Sequence, residues 1–210
     1  MDFIEKLTQQ LKQPLPGHQA QLKMAHFGRK TVLKDIEIPK DVKVASTLTL
    51  LVPREGEWYI ALMQRVVMKG DKHSGQISFP GGRVEESDPS LEYAALRETE
   101  EEIGVPIASI HPIGRMTQMF IPVSNFVVHP FIGYVDDIPN YIPDGKEVQQ
   151  VIEMPLKGFL AEDAIKYTEL KMPNGYLLKE VPYFDAKGHV VWGATAMMLS
   201  EFREILKSIN

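Results

Sequence analysis

The chain has 210 residues, 44% of them apolar and 24% charged, with no cysteine and a formal net charge of −5. A chain of this size and balance suits one globular domain with extensions, large enough to bury a core without staples. The composition excludes disulfides, a cysteine nucleophile and a thiolate zinc site. With no basic surplus to release counterions it argues against nucleic acid as a partner. No apolar run approaches a membrane span, and residues 1–13 carry acids, unlike a secretory signal. The expected compartment is the cytoplasm, with no membrane partner.

Residues 1–13 read as an amphipathic helix, with Phe3, Ile4, Leu7 and Leu11 in one stripe. That stripe is expected to pack on the domain or on a second copy of the chain, as in a homodimer. Pro14 and Pro16-Gly17 break the helix. Residues 44–52 form a strongly apolar strand and residues 58–64 (WYIALMQ) another, joined as a hairpin through the turn Arg54-Glu55-Gly56-Glu57. Arg65 stands at the end of the second strand. Residues 76–79 then alternate into Pro80-Gly81-Gly82, a turn at which backbone can approach a ligand closely.

Residues 88–104 carry the signals of a short helix. Asp88 is a good N-cap, Pro89 fits the first helical position, and Gly104 supplies the left-handed stop. At about 100° per residue, Leu96, Thr99 and Ile103 share one face, while Glu98, Glu101 and Glu102 share the opposite one. Glutamates at i,i+3 and i,i+4 repel by roughly 0.2–0.5 kcal/mol per pair. Only Arg97, four residues before Glu101, offsets this locally. Such a cluster is either a solvated face or a site for hard divalent cations such as Mg²⁺, which take oxygen ligands.

Further along, residues 111–119 and 126–135 read as strands separated by the turn Pro122-Val123-Ser124-Asn125. A loop at 141–146 leads into a strand over 147–156 and a short helix over 155–160. Residues 169–178 and 181–192 read as strands with turns at Asn174-Gly175 and Lys187-Gly188. An amphipathic helix over 193–209 closes the chain, with Ala196, Leu199, Phe202 and Leu206 on one face. The six histidines are scattered without metal-ligand spacing. Hairpins with helices flanking a mixed sheet make the fold class α/β.

The run of strand, glycine turn, loop and acidic helix resembles the Nudix box, Gly-x5-Glu-x7-Arg-Glu-U-x-Glu-Glu-x-Gly-U with U apolar. Its second half matches Arg97-Glu98-Thr99-Glu100-Glu101-Glu102-Ile103-Gly104-Val105, with Thr99 in the first U slot. In the first half Gly82 lies one residue too far from Arg97, and Pro89 takes the slot of the first Glu. Phe79-Pro80-Gly81-Gly82, the extra residue and Asp88 resemble the coenzyme A diphosphatase branch, as do Leu62, Arg65 and Gly75 and the segment 15–24 (LPGHQAQLKM). The chain departs from that branch at Val66 and Val67, which replace Ser-Ala, and at Asp71, which stands where a second Arg belongs.

The resemblance implies a Nudix α/β/α sandwich with a mixed β-sheet over residues 40–210 and an N-terminal helical extension over 1–39. It implies hydrolysis of a nucleoside diphosphate linked to another moiety, with coenzyme A or acyl-CoA as leading substrate. ADP-ribose or a nucleotide sugar is the alternative, and a non-catalytic ligand-binding regulator the alternative of another class. By motif position Glu98, Glu101 and Glu102 would hold Mg²⁺ or Mn²⁺. Arg97 would orient the glutamates, and Gly81 and Gly82 would shape the metal site. Gly145-Lys146-Glu147-Val148 resembles the family's return strand with its acidic residue facing the site, so Glu98 or Glu147 would be the base. Arg65, Lys69 and Lys72 are the candidate substrate cations, with His73 nearby.

Overall fold

In the computed structural model, which describes residues 2–26, 38–68, 74–172 and 175–209, the sheet is built on one hairpin. β1 (Lys43–Arg54) turns at Glu55 and Gly56, both at positive φ, into β2 (Glu57–Arg65). A two-residue turn of this kind matches the twist of the strands it joins. The two strands pair only from Leu50↔Ala61 to Arg54↔Glu57. Beyond that they splay, and a wedge enters between them. β3 (Ile77–Ser78) pairs with β2, and β4 (Gly81–Arg83) pairs with Ala45, Ser46 and Thr47 of β1. The two glycines expected in a turn therefore lie in a short strand. Gly81, at φ 144°, runs so close to β1 that a Cβ would collide with the Ser46 carbonyl and Thr47 Cα.

The other edge of β1 carries a parallel partner, β7 (Phe126–Tyr134), from Lys43↔Phe126 to Leu51↔Tyr134. β5 (His111–Arg115) and β6 (Met119–Ile121) both pair antiparallel with β7. The sequence reads 111–119 as one strand. The structure interrupts it at residues 116–118, where Thr117 turns its N–H and hydroxyl to Glu201. β8 (Val148–Pro155) lines the free edge of β2 and completes a mixed sheet of eight strands among the described residues.

Helices cover both faces. The acidic helix α3 (Leu91–Ile103) sets Ala95, Leu96 and Ile103, followed by Val105, over Leu48, Leu50, Val52, Ala61, Met63 and Phe131. α1 (Phe3–Gln10), α2 (Gly17–Leu22) and α5 (Gly193–Lys207) cover the opposite face, where Leu7, Met24, Phe202 and Leu206 meet Leu51, Ile60, Leu62 and Ile132. Each large apolar side chain fully buried in these layers is worth about 1.5–3 kcal/mol. The result is the α/β/α sandwich with a mixed sheet that the resemblance implies.

The N-terminal helical extension is seated on α5. Asp2 and Glu5 close a capping box on α1. α2 is a helix that the proline-glycine signals hide. Its Gly17 N–H and Gln21 side-chain amide both donate to buried Glu201 of α5, at 3.1 and 2.8 Å. After β8 the chain forms α4 (Leu156–Leu160) and a separate antiparallel sheet of β9 (Ile165–Lys171), β10 (Leu177–Ala186) and β11 (His189–Val191). β9 starts at Ile165, four residues before the expected position. The expected turn residue Asn174 lies outside the described residues. Phe184 of β10 packs edge-on against Phe159 of α4, at 5.0 Å between ring centroids, and joins this small sheet to the core.

Candidate functional site

α3 begins later than its sequence signals suggest. Ser90, in extended conformation, is the N-cap, and its Oγ accepts the Tyr93 N–H at 3.0 Å. Pro89 stays outside the helix. Asp88 is diverted from capping because Arg97 claims it: guanidinium Nε and Nη2 donate to Asp88 Oδ1 and Oδ2, each at 2.9 Å. The Glu85 N–H donates to Oδ2 as well. This two-pronged pair holds the Asp88 carboxyl below the usual carboxylate range, with the Arg97 hydrogen bonds as the largest cause, and raises Arg97 in turn. The other end of the helix is as expected, with Gly104 at φ 73° in the left-handed C-cap.

Arg97 also faces its own helix. Nη1 donates to Glu98 Oε1 at 3.1 Å and to Glu101 Oε2 at 3.0 Å, while Nη2 reaches the Arg83 carbonyl at 3.2 Å. One guanidinium thus ties the loop before α3, the end of β4 and two of the three face glutamates. Bidentate, charge-assisted bonds of this type fix geometry as well as adding energy.

The three glutamates differ in their surroundings. Glu101 is mostly exposed and Glu98 largely covered. Glu102 is only 6% exposed, because β4 lies over it. The Gly81 N–H donates to Glu102 Oε2 at 2.7 Å. Gly82 lies so near the Glu98 carboxylate that a Cβ there would stand 2.5 Å from it. The close approach of the glycine backbone is therefore to the glutamates. Burial pushes the Glu102 carboxyl up to about 8, with the Gly81 N–H opposing and the charges of Glu98 and Glu147 adding. Glu98 is raised as well, chiefly by burial, against the pull of Arg97.

Glu147, immediately before β8, enters the same field from the other side of the wedge. Its side chain is 59% exposed and stands 3.6 Å from Arg65 Nη2 at the end of β2. It is near enough to raise both Glu98 and Glu102. The structure thus brings Glu98, Glu101, Glu102, Arg97, Gly81, Gly82, Arg65 and Glu147 to one end of the sheet. Lys69 and Lys72, with Asp71 and His73, lie outside the described residues.

The donor set fits a hard divalent cation by its chemistry: all oxygen, net negative, and including a buried carboxylate with no ion pair among the described residues. It is not a closed cage. Among the described residues, no three carboxylate or histidine side chains converge as metal ligands.

Three residues or clusters here have roles that the sequence does not assign to them. Asp88 looks like a cap and acts as the anchor of Arg97. Asp144, in the loop before Glu147, accepts the N–H groups of Lys146, Glu147 and Val148; an Asp followed by Gly145 is itself a turn signal. Buried Glu153 of β8 receives Arg54 Nη2 at 3.0 Å and the Tyr141 hydroxyl at 3.1 Å. Partners so far apart in sequence leave no local trace.

Comparison with known proteins gives the family and the fold. A NUDIX domain model matches residues 42–173. A Yersinia enterocolitica protein named as an uncharacterized Nudix hydrolase, NudL, is 32% identical over 139 residues, covering 66% of this chain and 68% of that protein. The human mitochondrial coenzyme A diphosphatase NUDT8 is 33% identical over 132 residues, 62% of this chain but only 55% of that protein. Among solved structures, the NUDIX domain of Shewanella oneidensis NrtR, crystallised with ADP ribose, superposes with a TM-score of 0.52 at 16% identity, covering 86% of this chain and 98% of that one. A likeness at that identity speaks for the fold alone. With the family model spanning more than half of its length, the chain belongs to the Nudix hydrolase family.

Proposed function

We propose that this chain hydrolyses the diphosphate of a nucleoside diphosphate joined to a second moiety, with coenzyme A or an acyl-CoA as substrate and 3′,5′-ADP and 4′-phosphopantetheine as products. The observation that carries this reading is the surplus of carboxylate at one end of the sheet: Glu98, Glu101, Glu102 and Glu147, with Glu102 buried and unpaired among the described residues. A diphosphate is itself densely negative, so this surface suits it only with cations between. Nudix hydrolases generally use divalent metals, and we assign Mg²⁺ or Mn²⁺ here to Glu98, Glu101 and Glu102. Bound there, such ions supply charge neutralisation at the diphosphate oxygens and lower the pKa of water.

The chain's own groups then position and move protons. Arg97, anchored on Asp88, holds Glu98 and Glu101 in place. Glu98 or Glu147 takes the proton of the water that adds to phosphorus as the anhydride P–O bond breaks. Arg65, 3.6 Å from Glu147, is the substrate cation among the described residues, with Lys69 and Lys72 as further candidates. Residues 40–210 form the hydrolase domain in this reading and residues 1–39 its extension. The coenzyme A assignment is supported by the 33% identity to a coenzyme A diphosphatase and by Phe79-Pro80-Gly81-Gly82.

A substrate panel with product identification tests it. Turnover should need Mg²⁺ or Mn²⁺ and vanish in excess chelator. A charge-assisted contact to the 3′-phosphate is worth about 1.5–3 kcal/mol, so coenzyme A should be preferred over dephospho-coenzyme A by roughly 10-fold or more. A preference for ADP-ribose or a nucleotide sugar would overturn the substrate assignment. Tight nucleotide binding without turnover would make the chain a regulator.

A further inference from the structure

Glu147 is aimed by its backbone, not by packing. Its side chain is 59% exposed, and the ion pair with Arg65 is long, at 3.6 Å. Its carbonyl accepts the Val66 N–H at 2.8 Å, and its N–H side is held by the loop before it. Asp144 Oδ1 accepts three consecutive N–H groups, from Lys146 at 3.2 Å, Glu147 at 3.0 Å and Val148 at 2.9 Å. Gly145, at φ 71°, allows the chain to fold back over that carboxylate.

The same loop is pinned to the end of the acidic helix. The Asp144 N–H donates to the Glu102 carbonyl at 3.1 Å, and the Ile142 N–H donates to the Ile103 carbonyl at 2.9 Å. These carbonyls belong to the last turn of α3, which has no partners of its own for them. Ile142 also packs against Gly104, where a Cβ would meet it at 2.8 Å. One residue earlier, the Tyr141 hydroxyl donates to Glu153, itself held by Arg54. Two hydrogen bonds therefore span the site: Asp144 N–H to the Glu102 carbonyl, and Glu147 N–H to the Asp144 carboxylate.

We propose that Asp144 is a positioning residue which sets where Glu147 stands relative to the carboxylates of the acidic helix. The inference rests on the reading of Glu147 under Proposed function. A base or ligand displaced by about 1 Å can lose on the order of 10²-fold in rate. With its carbonyl still held by the Val66 N–H, Glu147 without the Asp144 acceptor loses the restraint on its N–H side, which lets its peptide tilt and its side chain swing while the helix glutamates stay in place.

The test is a kinetic series at saturating Mg²⁺ or Mn²⁺ with the best substrate of the panel. Asp144→Ala should lower kcat by about 10- to 100-fold with KM within about 3-fold. Asp144→Asn keeps an oxygen that can accept the same N–H groups, as in other Asx turns, and should recover most of kcat. Asp144→Glu keeps the charge but moves the carboxylate away from the amides. It should behave like Asp144→Ala, and it replaces that variant should Asp144→Ala not fold. In a Glu147→Gln background, Asp144→Ala should cost less than about 2-fold further, as coupled residues do. Equal losses in both backgrounds, or a full kcat for Asp144→Glu, would overturn the positioning role. Full turnover by Glu147→Gln alone would instead overturn the reading of Glu147.

Discussion

Glu102 and Glu201 are both buried glutamates on amphipathic helices, 6% and 0% exposed, on opposite faces of one sheet. Their surroundings differ completely. Glu201 accepts from the Gly17 N–H, the Gln21 side-chain amide, and both the N–H and hydroxyl of Thr117. Glu102 accepts one backbone N–H, from Gly81, and is pushed up to about 8 by burial and by neighbouring carboxylates. Burial alone marks neither as functional. A carboxylate supplied with enough donors is a clamp, here fastening α2 and the 116–118 loop to α5. One left short of them is held by the fold at an energetic cost, and a ligand that brings positive charge can relieve that cost.

The largest effect that would break this contrast is on turnover. Glu102→Gln keeps the shape and the acceptor for the Gly81 N–H but removes the charge, so kcat should fall by at least about 10²-fold, the scale of losing a key electrostatic group. The apo protein should be as stable as the wild type or more so, since the cost of keeping a buried carboxyl away from its ordinary ionisation is gone. Steady-state kinetics with a thermal melt decide it. A destabilised but active Glu102→Gln would mean that Glu102 is another clamp.

Glu201→Gln should show the reverse. An amide NH₂ set among N–H and O–H donors leaves some of them unsatisfied, for a loss on the order of 3 kcal/mol. At about 2–4 °C per kcal/mol for a chain of this size, Tm should fall by roughly 6–12 °C. The kcat of the folded protein below its new Tm should stay within about 2-fold of wild type. A selective loss of kcat with Tm unchanged would put Glu201 in the site.

The contrast also separates what the sequence makes legible from what it hides. Helical period, a glycine stop and the Arg-Glu-x-x-Glu-Glu spacing are local, and they give α3, its apolar face and its glutamate face directly. They do not reveal that Glu102 is buried, because β4 covers it from a wedge opened by the splaying of β1 and β2. Asp88 reads as a cap for α3 because the local rule is sound, but a two-pronged bond from Arg97 outweighs a cap. The break at residues 116–118 is imposed by Glu201, 84 positions away from Thr117. Asp144 could have been suspected from the Asp-Gly turn, whereas the Arg54–Glu153–Tyr141 cluster has no sequence period to betray it.

A smaller effect follows from the Glu102 carboxyl through pH. Its ordinary value is 4.5, and the fold raises it to about 8. Between those values the unfolded chain has released the proton that the folded chain still holds. Unfolding free energy therefore falls as pH rises through that window. The contribution is fully present below pH 4.5 and lost above about 8. In chelator, urea titrations from pH 5 to about pH 8.5 should show this decline, a few kcal/mol at most, superimposed on other titrations. Glu102→Gln should remove that part of the slope, and Mg²⁺ or Mn²⁺ should counteract it at the alkaline end, as a ligand of the folded state does. An identical slope in Glu102→Gln would assign the decline to other groups.

The smallest expected effect is the sharpest control on the acidic face itself. Glu100 lies on the same helix within two residues of Glu98, Glu101 and Glu102, so it contributes equally to the net charge of α3. Its carboxylate points elsewhere: Oε1 accepts the Ile107 N–H at 3.2 Å, in the turn that follows the helix. Glutamine keeps that acceptor and a similar helix propensity. Glu100→Gln should therefore change kcat by less than about 2-fold and stability by no more than about 0.5 kcal/mol, the range of ordinary surface substitutions. Metal affinity, read from the concentration of Mg²⁺ or Mn²⁺ giving half-maximal rate, should also be unchanged. If Glu100→Gln weakens metal activation as much as Glu102→Gln does, the helix acts through its summed charge. The burial of one particular carboxylate beneath β4 would then not be what distinguishes the site from the clamp.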